Sequence, residues 1–263
     1  MKQIIIEAPG AGSRLLNQVL FKRLKARTLA ILAIAFGLSI GIYCAALPYL
    51  GLAHEAIIVA GGLLLIIFSL VLRGLPNHPH QRFGAANVVT TIRAVIVCLV
   101  AATMLFARDL SLASSALWPI IGLIILALLL DGIDGYLART LNLASELGAR
   151  FDMEVDAFLL LVLSIGVFLL DKAGLWVLAI GMMRYCFVIA QFFVPSLKGE
   201  LLPSFRRKLI CVIQGAILCL CLVPFIPPVW SGSLAFVALA LLSYSFSVDT
   251  IFLLLRAKGE PGQ

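Results

Sequence analysis

Long stretches without a charged residue constrain this chain more than any other feature. Residues 28–51 and 56–72 are uncharged, and residues 209–248 continue for 40 positions without a charge. A helix that crosses a membrane needs about 20 mostly apolar residues. In the whole chain 62% of the residues are hydrophobic and only 13% are charged, about half the charged share of a soluble domain. The sequence therefore predicts an all-α polytopic membrane protein and excludes a soluble enzyme or a disordered chain.

The apolar runs divide into about eight transmembrane helices. Because proline ends a helix, the longest run is split by a group of helix-breaking residues: Pro224, Pro227, Pro228 and Gly232. The predicted spans cover residues 28–51, 56–72, 87–106, 117–139, 150–170, 174–195, 207–223 and 234–255. No signal peptide is predicted before them. An even number of spans places both termini on the same side of the membrane.

The basic residues indicate which side that is. The net charge is +7, from 20 basic and 13 acidic residues. With eight spans, 17 of the 20 basic residues fall on one side, and the exceptions are Arg108, Lys172 and Arg184. Cytoplasmic loops are enriched in Lys and Arg, so both termini are predicted to be cytoplasmic, and no nucleic-acid partner is expected. Residues 13–27 are predicted either to form an interfacial helix on anionic lipid or only to fix the topology.

Acidic residues concentrate in one short segment. Six of the 13 lie between positions 131 and 156. Asp131 and Asp134 belong to the fourth span, and Asp152 and Asp156 open the fifth, so each pair lies on one helical face. An aspartate at the centre of a spanning helix costs about 2.5–3.5 kcal/mol on insertion scales. Two antiparallel helices are therefore expected to face each other with four carboxylates between them.

Four carboxylates in a low-dielectric pocket repel one another unless protons or cations neutralise them. Oxygen ligands favour hard cations, so Mg²⁺ or Mn²⁺ is the expected cofactor. The alternative is a set of solvated loop acids. It explains Glu146 and Glu154, but not Asp131 and Asp134, which lie within an apolar helix. The sequence thus favours a metal site.

The same residues belong to a longer pattern with fixed gaps. It reads Asp131-x-x-Asp134-Gly135-x-x-Ala138-Arg139, eight residues, then Gly148-x-x-x-Asp152-x-x-x-Asp156. This pattern resembles the complete motif of the CDP-alcohol phosphatidyltransferases. Upstream, residues 86–93 are similar to that family's Pro-Asn-x-x-Thr-x-x-Arg element through Asn87, Thr90 and Arg93, with Ala86 in place of proline. Downstream, Arg207, Lys208 and Gln214 are similar to a weaker basic element.

The resemblance implies a reaction and a role for each motif residue. Family members transfer a substituted phosphate from a CDP-linked donor, usually CDP-diacylglycerol, to an alcohol, and they release CMP. The implied ligands of two Mg²⁺ or Mn²⁺ ions are Asp131, Asp134, Asp152 and Asp156, and Asp156 is also the implied base on the acceptor hydroxyl. The implied nucleotide and phosphate residues are Asn87, Thr90, Gly135, Ala138, Arg139 and Gly148. Family members usually form homodimers, so the resemblance also implies a homodimer.

The resemblance also divides the chain. A six-span core is expected at residues 87–256, and its active site would face the cytoplasm. Outside it lie a basic cytoplasmic tail at 1–27, two extra spans with a loop at 28–86, and a short tail at 257–263. No role is predicted for the extra spans.

The acceptor pocket has weaker signals. Arg184 falls in mid-span, where an ionisable group is a functional candidate by default. Arg184 could hold a phosphorylated alcohol together with three basic residues of the next loop. These are Arg206, Arg207 and Lys208. Positive loop charge alone explains those three slightly better. An internal ion pair between Arg184 and Asp249 is the other expectation for Arg184.

Three other functions share some of these sequence features. A divalent-cation transporter also places acids within the membrane, but transporters often place binding sites on inverted repeats, and no repeat is visible. An aspartate-rich prenyltransferase would need a second aspartate motif. A catalytically inactive scaffold would have no need of a complete motif. The acceptor stays open among glycerol 3-phosphate, inositol or its phosphate, serine, choline and a second lipid.

Overall fold

The fold is all-helical in a computed structural model that describes residues 11–50, 54–77, 83–106, 117–140, 145–199 and 204–259. Within these residues the chain forms eight α-helices. They are α1 (Ala11–Leu50), α2 (Glu55–Gly74), α3 (Ala85–Phe106), α4 (Leu117–Thr140), α5 (Glu146–Leu169), α6 (Leu178–Phe193), α7 (Phe205–Cys221) and α8 (Pro228–Gly259). Short 3₁₀ turns occur at Leu75–Asn77, Leu175–Val177 and Pro195–Lys198. The predicted fold class, an all-α polytopic membrane protein, is confirmed.

Six of the eight helices are long and apolar enough on their own to cross a membrane: α1, α2, α3, α4, α6 with its preceding turn, and α8. The helix α5 falls short because its first half carries Asp152, Glu154 and Asp156. The helix α7 falls short because it has only 17 residues. Both nevertheless run between the same two ends of the bundle as their neighbours, as the contacts below show.

The first helix differs from its prediction in one respect. The chain is helical without interruption from Ala11 to Leu50, so the basic segment at 13–27 continues directly into the first span. The part that qualifies as a membrane span is Val19–Tyr49. Whether the segment lies on anionic lipid stays a prediction.

The central helix of the bundle is α3. It packs against α1, α2, α4 and α5, and it is the most buried of the six candidate spans. Of the remaining helices, α6 packs against α5, and α7 packs against both α5 and α8. Large apolar side chains cover the outside, for example Ile34, Ile58 and Phe236, as expected where lipid is the surrounding solvent. The polar groups of α3 consequently lie inside the protein.

One end of the bundle is held by Lys172. At the end of α5, Asp171 adopts a left-handed backbone with φ 53°, and the amide of Lys172 donates to Val167 O at 3.0 Å. The Lys172 side chain is buried. Its ammonium donates to Val223 O at 3.1 Å, to Pro224 O at 3.4 Å and to Ile226 O. The α5–α6 turn and the α7–α8 turn therefore lie together at this end.

Candidate active site

A single arginine lies at the centre of the four motif aspartates. The Arg93 side chain, from α3, is completely buried. Its Nη1 lies 3.1 Å from Asp131 Oδ1, 2.9 Å from Asp134 Oδ2 and 2.5 Å from Asp152 Oδ1. Its Nη2 pairs with Asp156 Oδ1. The carboxylates thus converge as the spacing predicted, but the two-helix picture was incomplete, because α3 supplies the cation that joins them.

Three of the aspartates are arranged like the ligands of one cation. Carboxylate oxygens of Asp131, Asp152 and Asp156 lie within 4.8 Å of one another. All three side chains are partly exposed, so a solute has access to them. An oxygen-only donor set suits Mg²⁺ or Mn²⁺. The residues present therefore fit a hard divalent cation, and they lie on helices rather than in a solvated loop.

Asp134 has different neighbours from the other three. Its side chain is only 4% exposed. Its Oδ2 is 2.9 Å from Thr90 Oγ1 and 2.9 Å from Arg93 Nη1. Thr90 Oγ1 is also 3.1 Å from the carbonyl of Ala86, one turn earlier on α3. Asp134 thus joins α4 to α3 by hydrogen bonds, and it also lies beside the other three aspartates.

The amino end of α5 lies directly against the start of α3. Ser145 caps α5 by accepting a hydrogen bond from Gly148 N at 3.0 Å. A methyl group at Gly148 would come within 2.7 Å of Asn87 Oδ1, closer than real atoms allow. Asn87 is buried, and its amide donates to Phe83 O. Gly148 therefore permits close contact between the start of α5 and Asn87, in the first turn of α3.

The helix α7 closes another side of the site. Cys211 Sγ lies 3.9 Å from Asp156 Oδ2. Lys208, one turn earlier on the same helix, is exposed. The start of α7 therefore lies at the same end of the bundle as the aspartates, opposite the end held by Lys172.

Arg184 does not pair with Asp249, and that part of the sequence prediction was wrong. The Arg184 guanidinium instead pairs with Glu154 of α5 through Nη2 and Oε1, with Nε 3.5 Å from Oε2. Glu154 is accordingly an ion-pair partner rather than a loop acid. Glu146, by contrast, is largely exposed and pairs with Arg150 at 2.8 Å within its own helix.

Asp249 of α8 pairs instead with the basic residues that begin α7. Arg206 Nη2 lies 2.6 Å from Asp249 Oδ1, and Arg207 Nη1 lies 3.5 Å from it. Arg206 also donates to the carbonyl of Ser245 at 3.0 Å and lies over the Tyr244 ring. These contacts join α7 to α8 at the level of the site.

The other motif residues lie at the end of α4. Gly135 is half-buried there. Ala138 and Arg139 belong to the last turn of α4, and their side chains are outside the described part of the structure.

Sequence reasoning overlooked three features of this site. Arg93 was read as part of a motif and as a basic residue on the cytoplasmic side, although an arginine within a span already indicates an internal partner. Glu154 carried a weaker signal, because it lies on the same helix as Asp152 and Asp156. Nothing in the spacing pointed to Cys211, whose position depends on how α7 packs against α5.

The family comparison agrees with this geometry. The family model described as CDP-alcohol phosphatidyltransferase matches residues 83–248. The match begins just before α3 and ends within α8. Neither a curated protein nor a solved structure was found to match the chain.

Proposed function

Since the chain belongs to the CDP-alcohol phosphatidyltransferase family, and is thus a membrane-embedded transferase of substituted phosphate groups, we propose that its donor is CDP-diacylglycerol. The phosphatidyl group would pass to an alcohol at the cytoplasmic side, with release of CMP. The observation that carries this proposal is the convergence of three carboxylates at one end of a helical bundle. That is where a lipid-linked donor and a water-soluble alcohol would meet.

The contacts support a separate proposed role for each residue of the site. Asp131, Asp152 and Asp156 would hold the divalent cations, with Asp134 completing the set. When bound, two Mg²⁺ or Mn²⁺ ions would neutralise the charge of the pyrophosphate and of the leaving CMP. Phosphoryl transfer depends mainly on charge neutralisation and in-line positioning. Arg93 would orient the carboxylates, because it touches all four.

Asp156 is proposed as the base. Its Oδ1 faces Arg93, and its Oδ2 lies on the α7 side of the site, near Cys211. An acceptor hydroxyl arriving from α7 would therefore meet Oδ2, which would take its proton during attack on the donor phosphate. A positioned base contributes roughly 10²–10⁴-fold to a rate.

The nucleotide would lie at the junction of α3, α4 and α5. Asn87 and Thr90 line it from α3, and Gly148 from α5. From the end of α4, Gly135 and Ala138 would leave room, and Arg139 would meet the phosphates. For the acceptor, the exposed Lys208 is the first candidate, since Arg206 and Arg207 are engaged with Asp249 and Arg184 with Glu154. A homodimer in the membrane is also proposed, because members of the family usually form homodimers.

The direct test is CMP release by the purified protein in detergent, with CDP-diacylglycerol, Mg²⁺ or Mn²⁺ and a panel of alcohols. Asp152→Asn serves as the blank, and Glu146→Gln, which changes an exposed acid on the same helix, as the matched control. Metal-dependent CMP release with one acceptor, abolished only in Asp152→Asn, is expected. Absence of both CMP release and CDP-lipid binding would contradict the proposal. Uptake of Mn²⁺ by vesicles would then support the cation-transporter alternative.

A further inference from the structure

We infer that α1 and α2, which precede the matched family region, position the amino end of α5 for nucleotide binding. The inference rests on three buried leucines, called here the leucine cluster: Leu24 of α1, Leu75 after α2, and Leu147 of α5. They are 4%, 1% and 7% exposed, and they form an apolar cluster separate from the main core. The end of α2 and the turn after it thus contact α5 at its first turn, and Leu24 brings α1 into the same cluster.

The contact is close. A methyl group added at Gly74, the last residue of α2, would lie 2.6 Å from Leu147 Cδ1. The backbone at the end of α2 therefore rests on the Leu147 side chain without space for another carbon. A shift of α2 or of Leu24 has to move Leu147 or leave a cavity beside it.

Leu147 is followed directly by Gly148, which lies so close to Asn87 that no side chain fits between them. Ser145, two residues before Leu147, caps the same helix end. A displacement of Leu147 would consequently change the distance between the start of α5 and the start of α3.

The extra helices are also fixed to α3 itself. The Tyr43 hydroxyl of α1, completely buried, donates to the carbonyl of Val95 at 2.7 Å. Between the two attachment points α1 carries a buried stripe at Thr28, Leu32 and Ser39. The pair α1–α2 therefore links the two helices that bring Asn87 and Gly148 together.

The inference depends on the proposed function, because it takes Asn87 and Gly148 as nucleotide contacts. Leu24→Ala should then raise KM for the CDP-linked donor by about tenfold, with a smaller change in kcat, since small misplacements of a binding group weaken positioning strongly. Leu24→Met, which conserves volume, should restore the wild-type KM. Leu29→Ala, on the exposed side of the same helix, should leave both constants unchanged.

The measurement is CMP release against donor concentration, together with CMP binding by calorimetry. If Leu24 only stabilises the fold, Leu24→Ala lowers the maximal rate and leaves KM and CMP affinity at wild-type values, which would overturn the inference. Gly74→Ala, which presses on Leu147, should show the same rise in KM and replaces Leu24→Ala if that variant does not fold. If wild type binds CMP but releases none from any donor, the proposed function fails, and the CMP affinities of the variants still decide the inference.

Discussion

At the scale of single residues, Asp156 differs from the other three aspartates in its proposed role, which is to take the proton of the acceptor as well as to bind metal. We expect Asp156→Asn to retain nucleotide and metal binding, since three of the four proposed ligands, Asp131, Asp134 and Asp152, stay in place and an amide oxygen can still coordinate a hard cation. Turnover should fall by about 10²–10⁴-fold, because the variant lacks the proposed base on the acceptor. CMP release and Mn²⁺ binding, measured on the same preparation, check this. Activity close to wild type would contradict the assignment of the base.

Arg93 is the second residue with a sharp expectation. Its removal leaves four carboxylates without their shared cation, and breaking a buried ion pair costs roughly 3–5 kcal/mol. Arg93→Gln should therefore melt at a lower temperature in metal-free buffer, and added Mg²⁺ should stabilise it more than it stabilises wild type. Arg93→Lys, which keeps the charge but loses the planar fork that reaches all four acids, should fall between them. A wild-type melting temperature for Arg93→Gln would contradict this account.

At the scale of elements, the end of α5 offers a test of backbone strain. Asp171 has φ 53° at a position where glycine is usual, because a left-handed backbone costs about 1–2 kcal/mol for most residues. We expect Asp171→Gly to stabilise the protein by up to about 1 kcal/mol and Asp171→Ala to destabilise it. Thermal unfolding in detergent compares the two variants. Equal melting temperatures would mean that the helix end is not strained.

At the scale of the whole molecule, the two ends of the bundle are distinct. The aspartates lie at the end where α4 finishes and α5 and α7 begin, and Lys172 lies at the other. Basic loops predict that the aspartate end is cytoplasmic.

This orientation predicts a labelling pattern. In a background without exposed native cysteines, Leu175→Cys lies at the Lys172 end and Phe205→Cys at the aspartate end, and both positions are exposed. A membrane-impermeant maleimide should label Leu175→Cys in intact cells and Phe205→Cys only after permeabilisation. The reverse pattern would show that the active site faces outward.

Much of the architecture was predictable from local sequence. The predicted spans agree with the eight helices, usually to within a few residues. The aspartate motif converged because spacings of three and four residues place side chains on one helical face. The pairing of Arg184 with Asp249 was wrong because an ion pair between helices depends on which helices are neighbours, and no spacing along the chain records that.

The sequence alone was enough to establish an all-helical membrane protein with an acidic site between α4 and α5. The features that did so are the length of the apolar runs, the helix-breaking residues between them, and the acidic residues within a span. These are local properties, since a helix in lipid must satisfy its own backbone whatever its neighbours are. Only the tertiary structure decided that Arg93 joins the four aspartates, that Glu154 pairs with Arg184, and that Leu24, Leu75 and Leu147 form one cluster. In a membrane both the lipid-facing and the protein-facing sides of a helix are apolar, so the sequence carries little record of which side packs against which partner.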